Sequence, residues 1–419
     1  MAEIPAAADV NWTGYSLAER DRRWNGVRTN AAREAFDCIL VPKGNRLDAR
    51  YLTQIIGTGN GGAAMIMPTD GRPPIVLTES AGIGLLPGIT EWVSESQIRT
   101  IRSDDRPQWG QPIADALIEL GMERGRIGVA GLGAGIYAHG RTPDGVVNYS
   151  SFVEVTRALP NATFENATDV VGMVRYVKSD EEIACLRRAA AIAEAGIEEM
   201  IALAKPGVDE AVLYGRVTGR LMELGSEHYS MARSDWLSHG WALQTGPTFK
   251  EAIRFSEPPI GRRLEEGMVI SNEVSASWGA MVAQEVQPIV VGPIPQEWAT
   301  AIDLQREVFE AGLERMEPGL CYEEFLDFVE GISTPPGYRI VVTMHGRGLG
   351  DDGPVITPRT VKEKLRGVCM ERGNAWVWKP SVASENREVV AQFGGTVVLT
   401  DSGAERLFAR PVGMVSSVV

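Results

Sequence analysis

The sequence predicts an α/β (α+β) protein with a smaller α/β domain over residues 1–170 and a larger domain over residues 171–419. The chain has 419 residues, enough for two or three domains with ample cores. Short apolar runs alternate with helical patterns in the first part, and a well-capped helix opens the second part near residue 180. Hydrophobic residues make up 44% and charged residues 23%, which is typical of a globular protein.

The first domain contains four short apolar runs that are bounded by Gly, Pro or Asp, a pattern typical of buried strands. The runs are DCILVP (37–42), AAMIMP (63–68), PPIVLT (73–78) and RIGVAG (126–131). Residues 109–122 show helical spacing and stop at glycine. The motif GTGNGG (57–62) fits a dinucleotide fingerprint, but a strand-like run follows where a helix is required, so we interpret it as a hairpin turn.

The second domain opens with a helix whose start and end are both marked. Ser179 and Glu182 form a capping box, and Pro206-Gly207 ends the helical pattern. A similar phrase ends at Pro318-Gly319, and a second helical run follows each Pro-Gly pair. We therefore predict two related helix pairs that arose by internal duplication, with strands between and after them.

Composition excludes several classes of partner and indicates a compartment. The net charge of −14 argues against nucleic acid and anionic membranes, because phosphate binding needs a basic face. No apolar run approaches the roughly 20 residues of a membrane span, and the N-terminus lacks a signal-peptide pattern, so we expect a cytoplasmic protein. The four cysteines form no CxxC pair and are expected to be free, buried thiols: Cys38, Cys185, Cys321 and Cys369.

The stretch VVTMHGRGLGDDGP (341–354) places a histidine between a β-branched run and several glycines. It could be a phosphate loop, a metal site or a turn. This stretch, MVRYVKSDEEIACLRRAAAIAEAG, the two Pro-Gly helix ends and EEGMVISNE…WGAMVAQE together resemble the creatinase / aminopeptidase P / methionine aminopeptidase superfamily. The resemblance implies a C-terminal pita-bread domain with pseudo-twofold symmetry, behind a smaller creatinase-type N-terminal α/β domain.

Peptidases of this superfamily bind two metal ions through two aspartates, one histidine and two glutamates. The resemblance places these ligands, in order, at Asn272, Ala283, His345, Lys379 and Gly394. A shift of one residue would offer Glu273 or Gln284 without restoring five ligands. Four ligands are thus lost and one is replaced by a cation, which repels a metal ion. We therefore expect no bound metal and no cofactor.

Creatinase, the metal-free branch, supplies the candidate catalytic residues. Its substrate-holding glutamate corresponds to Glu285, its second such glutamate to Lys379, and its catalytic histidine falls near Ser256. A lysine is wrong for the creatine cation, so we do not predict creatinase activity. We predict that Glu285, His345 and Lys379 are catalytic, with Glu285 and Lys379 on neighbouring strands facing one cavity. The alternatives are a Glu285–Lys379 salt bridge that replaces the metal as a scaffold, and a core histidine at His345.

Several further side chains are predicted to bind substrate because the superfamily builds its pocket from these segments. They are His228, Trp236, His239, Trp241, Trp278 and Arg347. The indoles suggest an aromatic or bulky apolar substrate, although core packing is the alternative for each. Strand alternation further predicts that Trp376 and Trp378 share one face while Val377 and Lys379 share the other.

The remaining chemistry favours a cofactor-independent lyase that cleaves a C–C or C–N bond of a small aromatic substrate. Retro-aldol release of a small aldehyde such as formaldehyde is one version, with Lys379 stabilising the oxyanion. A metal-free, creatinase-like C–N hydrolase of the amidinohydrolase type is the alternative, followed by a non-catalytic binding module. The resemblance also implies a homodimer, in which Arg50 and Tyr51 could reach the partner's substrate.

Overall fold

The computed structural model describes residues 14–55, 62–79, 89–101, 109–140, 142, 144–227, 242–252 and 261–417. Its fold is a small N-terminal α/β unit followed by a larger pita-bread unit, as the sequence and its resemblance predict.

The N-terminal unit is built on a six-stranded sheet in the order β4-β3-β2-β1-β5-β6. Strand β2 runs antiparallel to its neighbours, and the other adjacent pairs are parallel. The four strands predicted from the apolar runs are confirmed as β1, β2, β3 and β5. The strands are β1 (Cys38–Val41), β2 (Ala63–Pro68), β3 (Ile75–Glu79), β4 (Ile98–Ile101), β5 (Arg126–Val129) and β6 (Thr163–Asn166).

Helices cover both faces of this sheet because its central strands are apolar on both sides. Helices α1 and α6 pack on the face that carries Ile39 and Val41, while α4 and α5 pack on the face of Leu40. The predicted domain boundary at residue 170 falls within α6. The helices are α1 (Leu17–Arg33), α2 (Arg46–Thr53), α3 (Ile89–Trp92), α4 (Gly110–Glu119), α5 (Tyr149–Ala158) and α6 (Thr168–Tyr176).

The C-terminal unit is built on a ten-stranded sheet in the order β13-β12-β14-β17-β9-β8-β10-β19, with β18 beside β17 and β7 beside β8. A separate three-stranded sheet has the order β11-β15-β16. The strands of the large sheet are β7 (Ala242–Gly246), β8 (Val269–Trp278), β9 (Met281–Val286), β10 (Ile289–Val290), β12 (Met344–Arg347), β13 (Asp351–Ile356), β14 (Ala375–Trp378), β17 (Gly394–Thr400), β18 (Gly403–Arg406) and β19 (Val415–Ser416). Those of the small sheet are β11 (Tyr338–Val341), β15 (Ser381–Ser384) and β16 (Val390–Gln392).

Two helix pairs cover one side of the C-terminal unit, α7 with α8 and α10 with α11. The predicted capping box of Ser179 and Glu182 starts α7, and the predicted Pro-Gly pairs follow the ends of α7 and α10. Helix α7 packs along one face of β8 and β9. The face of the large sheet that points away from α7 is called the open face below. The helices are α7 (Asp180–Leu203), α8 (Glu210–Glu223), α9 (Phe249–Ala252), α10 (Ala299–Arg315), α11 (Tyr322–Glu330) and α12 (Pro358–Lys364).

The prediction of four free thiols is wrong for two of them. Cys321 and Cys369 are joined by a disulfide, because the backbone before α11 and the segment before β14 meet as an antiparallel bridge at these residues. Cys38 and Cys185 are free and buried, as expected. Across the described ranges, no helix has the length and apolar character needed to cross a membrane. The GTGNGG motif lies outside these ranges except for Gly62.

Candidate active site

The open face of the ten-stranded sheet carries a cluster of charged and polar side chains. Alternation along β8 sends Val274 and Ala276 towards the helices and Glu273 and Ser275 to the opposite side. On β14, the predicted face assignment agrees with the packing, since Trp376 and Trp378 are fully buried in the helix-side core. Residues on or next to β8, β9, β12 and β14 lie together on the open face and form one site.

Lys379 follows β14 and forms a partly buried ion pair with Glu273. The other oxygen of Glu273 accepts a hydrogen bond from Gln284 Nε2 at 2.7 Å. Burial acts to raise the pKa of the Glu273 carboxyl, but the charge and hydrogen bond of Lys379 outweigh it, so the net pKa is lowered. Glu273 is therefore an anion whose charge is balanced by one ammonium.

His345 lies on β12, beside the same ion pair. Its cross-strand partner is Val377, so it shares a face with Lys379 two residues further along. Nδ1 lies 3.2 Å from the Gly346 carbonyl oxygen and 3.8 Å from Asp351 Oδ1. Because both are acceptors, Nδ1 carries the proton and donates to the carbonyl, which leaves the lone pair of His345 on Nε2. This contact is consistent with the alternative that His345 is a structural histidine of the core. The contact involves Nδ1, however, and leaves Nε2 able to accept a proton.

Burial lowers the pKa of His345 to about 4, and the nearby Lys379 ammonium acts in the same direction. The imidazole is therefore a neutral base at pH 7. A second ion pair borders it, in which Arg347 donates to Asp351 and, at 3.0 Å, to the hydroxyl of Ser275. The predicted binding residue Arg347 is thus on the open face, although its side chain is only 1% exposed.

The predicted partnership of Glu285 and Lys379 is wrong. Glu285 lies on β9, separated from β14 by β17, and its cross-strand partners Val274 and Gly395 place it on the helix side. A Cβ at Gly395 would come within 1.8 Å of its carboxylate, so this glutamate fills the space that the glycine leaves. The nearest cation is Arg410, with Nη2 at 3.6 Å from the carboxylate.

The first two ligand positions predicted from the resemblance, Asn272 and Ala283, are each displaced by one residue from the side chains that reach the site. Asn272 bonds the backbone of Gln287, and Ala283 packs on Ala189 and Ala190 of α7, so neither reaches the open face. Their neighbours Glu273 and Gln284 do. The alternation Glu273, Ser275, Ser277 against Val274, Ala276 was the available signal, because polar residues at every second position mark the uncovered face.

The other predicted binding residues are not assembled into this site by the described part of the chain. Trp278 is on the helix side, where Arg188 of α7 stacks over its indole at 5.2 Å from the ring centre. Arg50 and Tyr51 both lie in α2, where Arg50 pairs with Glu227 at 2.9 Å and Tyr51 is buried. The remaining residues lie outside the described ranges: His228, Trp236, His239, Trp241 and Ser256.

The family profile described as metallopeptidase family M24 matches residues 184–401, about half of the chain. The chain belongs to metallopeptidase family M24. The match begins in α7 and ends just after β17, so it contains every residue of the cluster on the open face.

Curated relatives of this M24 chain include both uncharacterised and named proteins. An uncharacterised hydrolase/peptidase of Sinorhizobium fredii, y4tL, is 26% identical over 312 residues, which are 73% of this chain and 74% of that protein. A methionine aminopeptidase of Clostridium acetobutylicum is 23% identical over 252 residues, which are 55% of this chain and 97% of that protein.

Solved structures match over nearly the whole M24 chain and show the fold. The Xaa-Pro dipeptidase of Bacillus anthracis has a TM-score of 0.73 at 16% identity and covers 95% of this chain and 99% of its own. The X-Pro aminopeptidase of Thermotoga maritima has a TM-score of 0.71 at 16% identity, with 94% and 99% covered. The shared features are the small N-terminal α/β unit and the pita-bread unit.

The donor set of the open face does not fit the dinuclear centre of a metallopeptidase. Among the described residues, no group of three His, Cys, Asp or Glu side chains is placed to hold a metal ion. When Glu273 and Gln284 take the places of Asn272 and Ala283, the set still fails. Glu273 is already neutralised by Lys379, Gln284 is a neutral amide, and Gly394 offers no side chain. A divalent ion between Glu273 and His345 would have to displace an ammonium from the carboxylate.

Proposed function

We propose that this M24 protein is a metal-independent hydrolase that cleaves a C–N bond of a small molecule at the open face of its large sheet. The observation that carries the proposal is the state of His345, a neutral imidazole beside the Lys379–Glu273 pair, with its Nδ1 at the Gly346 carbonyl and its lone pair on Nε2. The sequence left hydrolysis without a group that activates water, and this imidazole is such a group. Membership of the family and the hydrolase-like relative support the same class of reaction.

In the proposed mechanism, His345 Nε2 takes a proton from water as the water oxygen bonds to an amide- or amidine-type carbon. The Lys379 ammonium stabilises the negative charge that develops on the heteroatom, while Glu273 holds the ammonium in position. When the C–N bond breaks, the imidazolium returns its proton to the departing nitrogen. Water is consumed, and no electron acceptor or cofactor is required.

The first test uses single variants that keep the volume of each side chain. We expect His345→Asn, Lys379→Met and Glu273→Gln each to lower kcat/KM by at least about 100-fold, the usual effect of removing an acid–base or charge-stabilising group. The control is Lys362→Met on the exposed face of α12, which should leave the rate unchanged. The substrates are a panel of dipeptides, small amides and amidino or guanidino acids. Full activity of all three variants would remove the site assignment.

A gain-of-function variant tests metal independence. The double variant Gln284→Asp/Lys379→Glu would add two carboxylates beside Glu273 and His345 and remove the cation. We expect elemental mass spectrometry after metal loading and dialysis to find less than about 0.1 ion per wild-type chain and close to one or more in the variant. Stoichiometric metal in the wild-type protein would return a metallopeptidase to first place.

Isotope labelling separates hydrolysis from the lyase that the sequence favoured. The lyase scheme relied on Glu285 beside Lys379, and the described structure places Glu285 behind the sheet. We expect the product formed in ¹⁸O-water to contain one labelled oxygen in the new carbonyl or carboxyl group. Product without label, together with a released aldehyde, would support the lyase instead.

A further inference from the structure

A cavity lies in the N-terminal unit, away from the open face of the large sheet. Its volume is about 650 Å³, within the range of pockets that hold small organic ligands. It opens where β1 ends, between α4 and α5, and every residue that lines it lies between positions 40 and 155. The carboxyl ends of parallel strands are common ligand sites in α/β sheets.

The lining of the cavity combines apolar and cationic side chains. Leu40, Ile113, Phe152 and Val155 form its apolar part. Lys43 and Arg46 supply positive charge, and the lining contains no carboxylate among the described residues. Glu79 meets the Lys43 ammonium from outside at 3.2 Å, an ion pair whose two side chains are each about one quarter exposed. Such an exposed pair is weak and leaves the ammonium able to contact a ligand.

Trp109 provides a buried donor in the lining of the cavity. Its side chain is only 4% exposed, yet among the described residues its Nε1–H has no hydrogen-bond acceptor. Buried indole N–H groups normally find a partner, because an unpaired buried donor loses its hydrogen bond to water without replacement. The Lys43 ammonium lies over the same ring, 5.0 Å from its centre.

Two helix N-termini also border the cavity, and in the described part of the chain neither is capped by a side chain. Trp109 precedes α4 and Asn148 precedes α5, and both residues are part of the lining. Uncapped N-terminal N–H groups favour negative charge. Glu154 lies against Gly110 at the start of α4 and supplies some of that charge from outside the lining.

We propose that this cavity binds a small organic carboxylate, with the carboxylate accepting from Trp109 Nε1–H beside Lys43 and an aromatic or branched aliphatic body against the apolar wall. The ligand class follows from the combination of an unpaired buried donor, lining cations and an apolar volume. The site is independent of the proposed hydrolase chemistry, because it shares no residue with the open face.

The test is calorimetric titration of the full chain with 4-phenylbutyrate, its neutral amide and inorganic phosphate. We expect 4-phenylbutyrate to bind at least fivefold more tightly than either of the other probes. Trp109→Phe removes the donor but keeps the ring, and Lys43→Met removes the charge but keeps the stem; each should weaken binding at least fivefold. The matched controls are Trp298→Phe and Lys362→Met, which should leave the affinity unchanged.

Thermal unfolding of Trp109→Phe and Lys43→Met checks that both variants remain folded at the titration temperature. Binding should survive His345→Asn, which separates this cavity from the open face. Three results would overturn the proposal: no binding of 4-phenylbutyrate at millimolar concentration, equal binding to wild type and both cavity variants, or loss of binding in His345→Asn. Equal affinity for the amide or for phosphate would also contradict the proposed class of ligand.

Discussion

The protonation state of His345 sets the expected pH dependence of activity. The burial that lowers its pKa to about 4 disfavours the imidazolium, so the base form predominates at all pH values above that. We therefore expect kcat/KM to stay level from about pH 6 to 8 and to fall only as the pH approaches 4, where the imidazole gains a proton. Initial rates between pH 3.5 and 8 measure this, and an acid limb near pH 6.5 would show that His345 titrates as an ordinary solvent-exposed histidine.

Glu285 is buried beside Arg410, and desolvation raises the pKa of its carboxyl well above the usual range. A carboxyl whose pKa is raised in the folded state contributes stability at low pH and loses it as the pH rises above its unfolded value. Replacing it with an amide removes that loss. We expect Glu285→Gln to raise the free energy of unfolding at pH 7, to change it little at pH 4.5, and to leave the activity nearly unchanged.

Urea unfolding at both pH values, together with the rate assay, checks the Glu285→Gln prediction. Lys379→Met is the functional comparison, because it removes a charge from the open face. A large loss of activity in Glu285→Gln would restore the catalytic role that the sequence suggested, despite the position of Glu285 on the helix side of the sheet.

Among the elements, strands and helix ends were predictable because their signals are local. The apolar runs of β1, β2, β3 and β5, the capping box of α7 and the Pro-Gly ends all depend on neighbouring residues. It was harder to predict that Glu273, and not its neighbour Asn272, reaches the open face. Adjacent residues of a strand point to opposite faces, and the sequence does not say which face the helices cover. That choice depends on α7, which is some seventy residues earlier in the chain and covers one side of β8.

The Cys321–Cys369 disulfide is an element-scale feature that sequence spacing did not indicate, because 48 residues separate its ends and only the fold brings them together. It connects the start of α11 to the segment before β14. Closing a loop of this length restricts the unfolded chain, so we expect Cys321→Ser/Cys369→Ser to lower the free energy of unfolding by about 2–4 kcal/mol. Thiol titration of the denatured protein should count two free thiols in the wild type, and four would contradict the disulfide.

At the scale of the whole molecule, Arg175 of α6 connects α2 of the N-terminal unit to β13 of the large sheet. Its Nε lies 2.7 Å from Asp48 of α2, and its Nη1 lies 2.6 Å from Asp352 of β13, with each of the three side chains at most 4% exposed. Lys178 is a weaker second partner of Asp352, at 3.6 Å. Because Asp352 adjoins the Asp351 that binds Arg347, this buried network positions one edge of the open face relative to the N-terminal unit.

We expect Arg175→Met to lower the free energy of unfolding by about 3–5 kcal/mol at pH 7, since it leaves two buried carboxylates with one lysine. Burial acts to raise the pKa of Asp352, but Arg175 and Lys178 outweigh it and hold the pKa below its usual value. The stability that this carboxylate contributes is therefore present above its unfolded pKa and is lost as the pH falls, so the deficit of the variant should shrink towards pH 4.

Arg372 is the matched control for Arg175, because it also bridges two carboxylates, Asp180 at 2.8 Å and Asp401 at 3.1 Å, but its side chain is 47% exposed. Exposed pairs contribute little to stability because water screens them, so Arg372→Met should cost little at any pH. Urea unfolding of both variants at pH 7 and pH 4.5 measures the difference. Equal costs for the two variants would mean that the Arg175 network does not hold the two units together, and that their packing depends on apolar contacts instead.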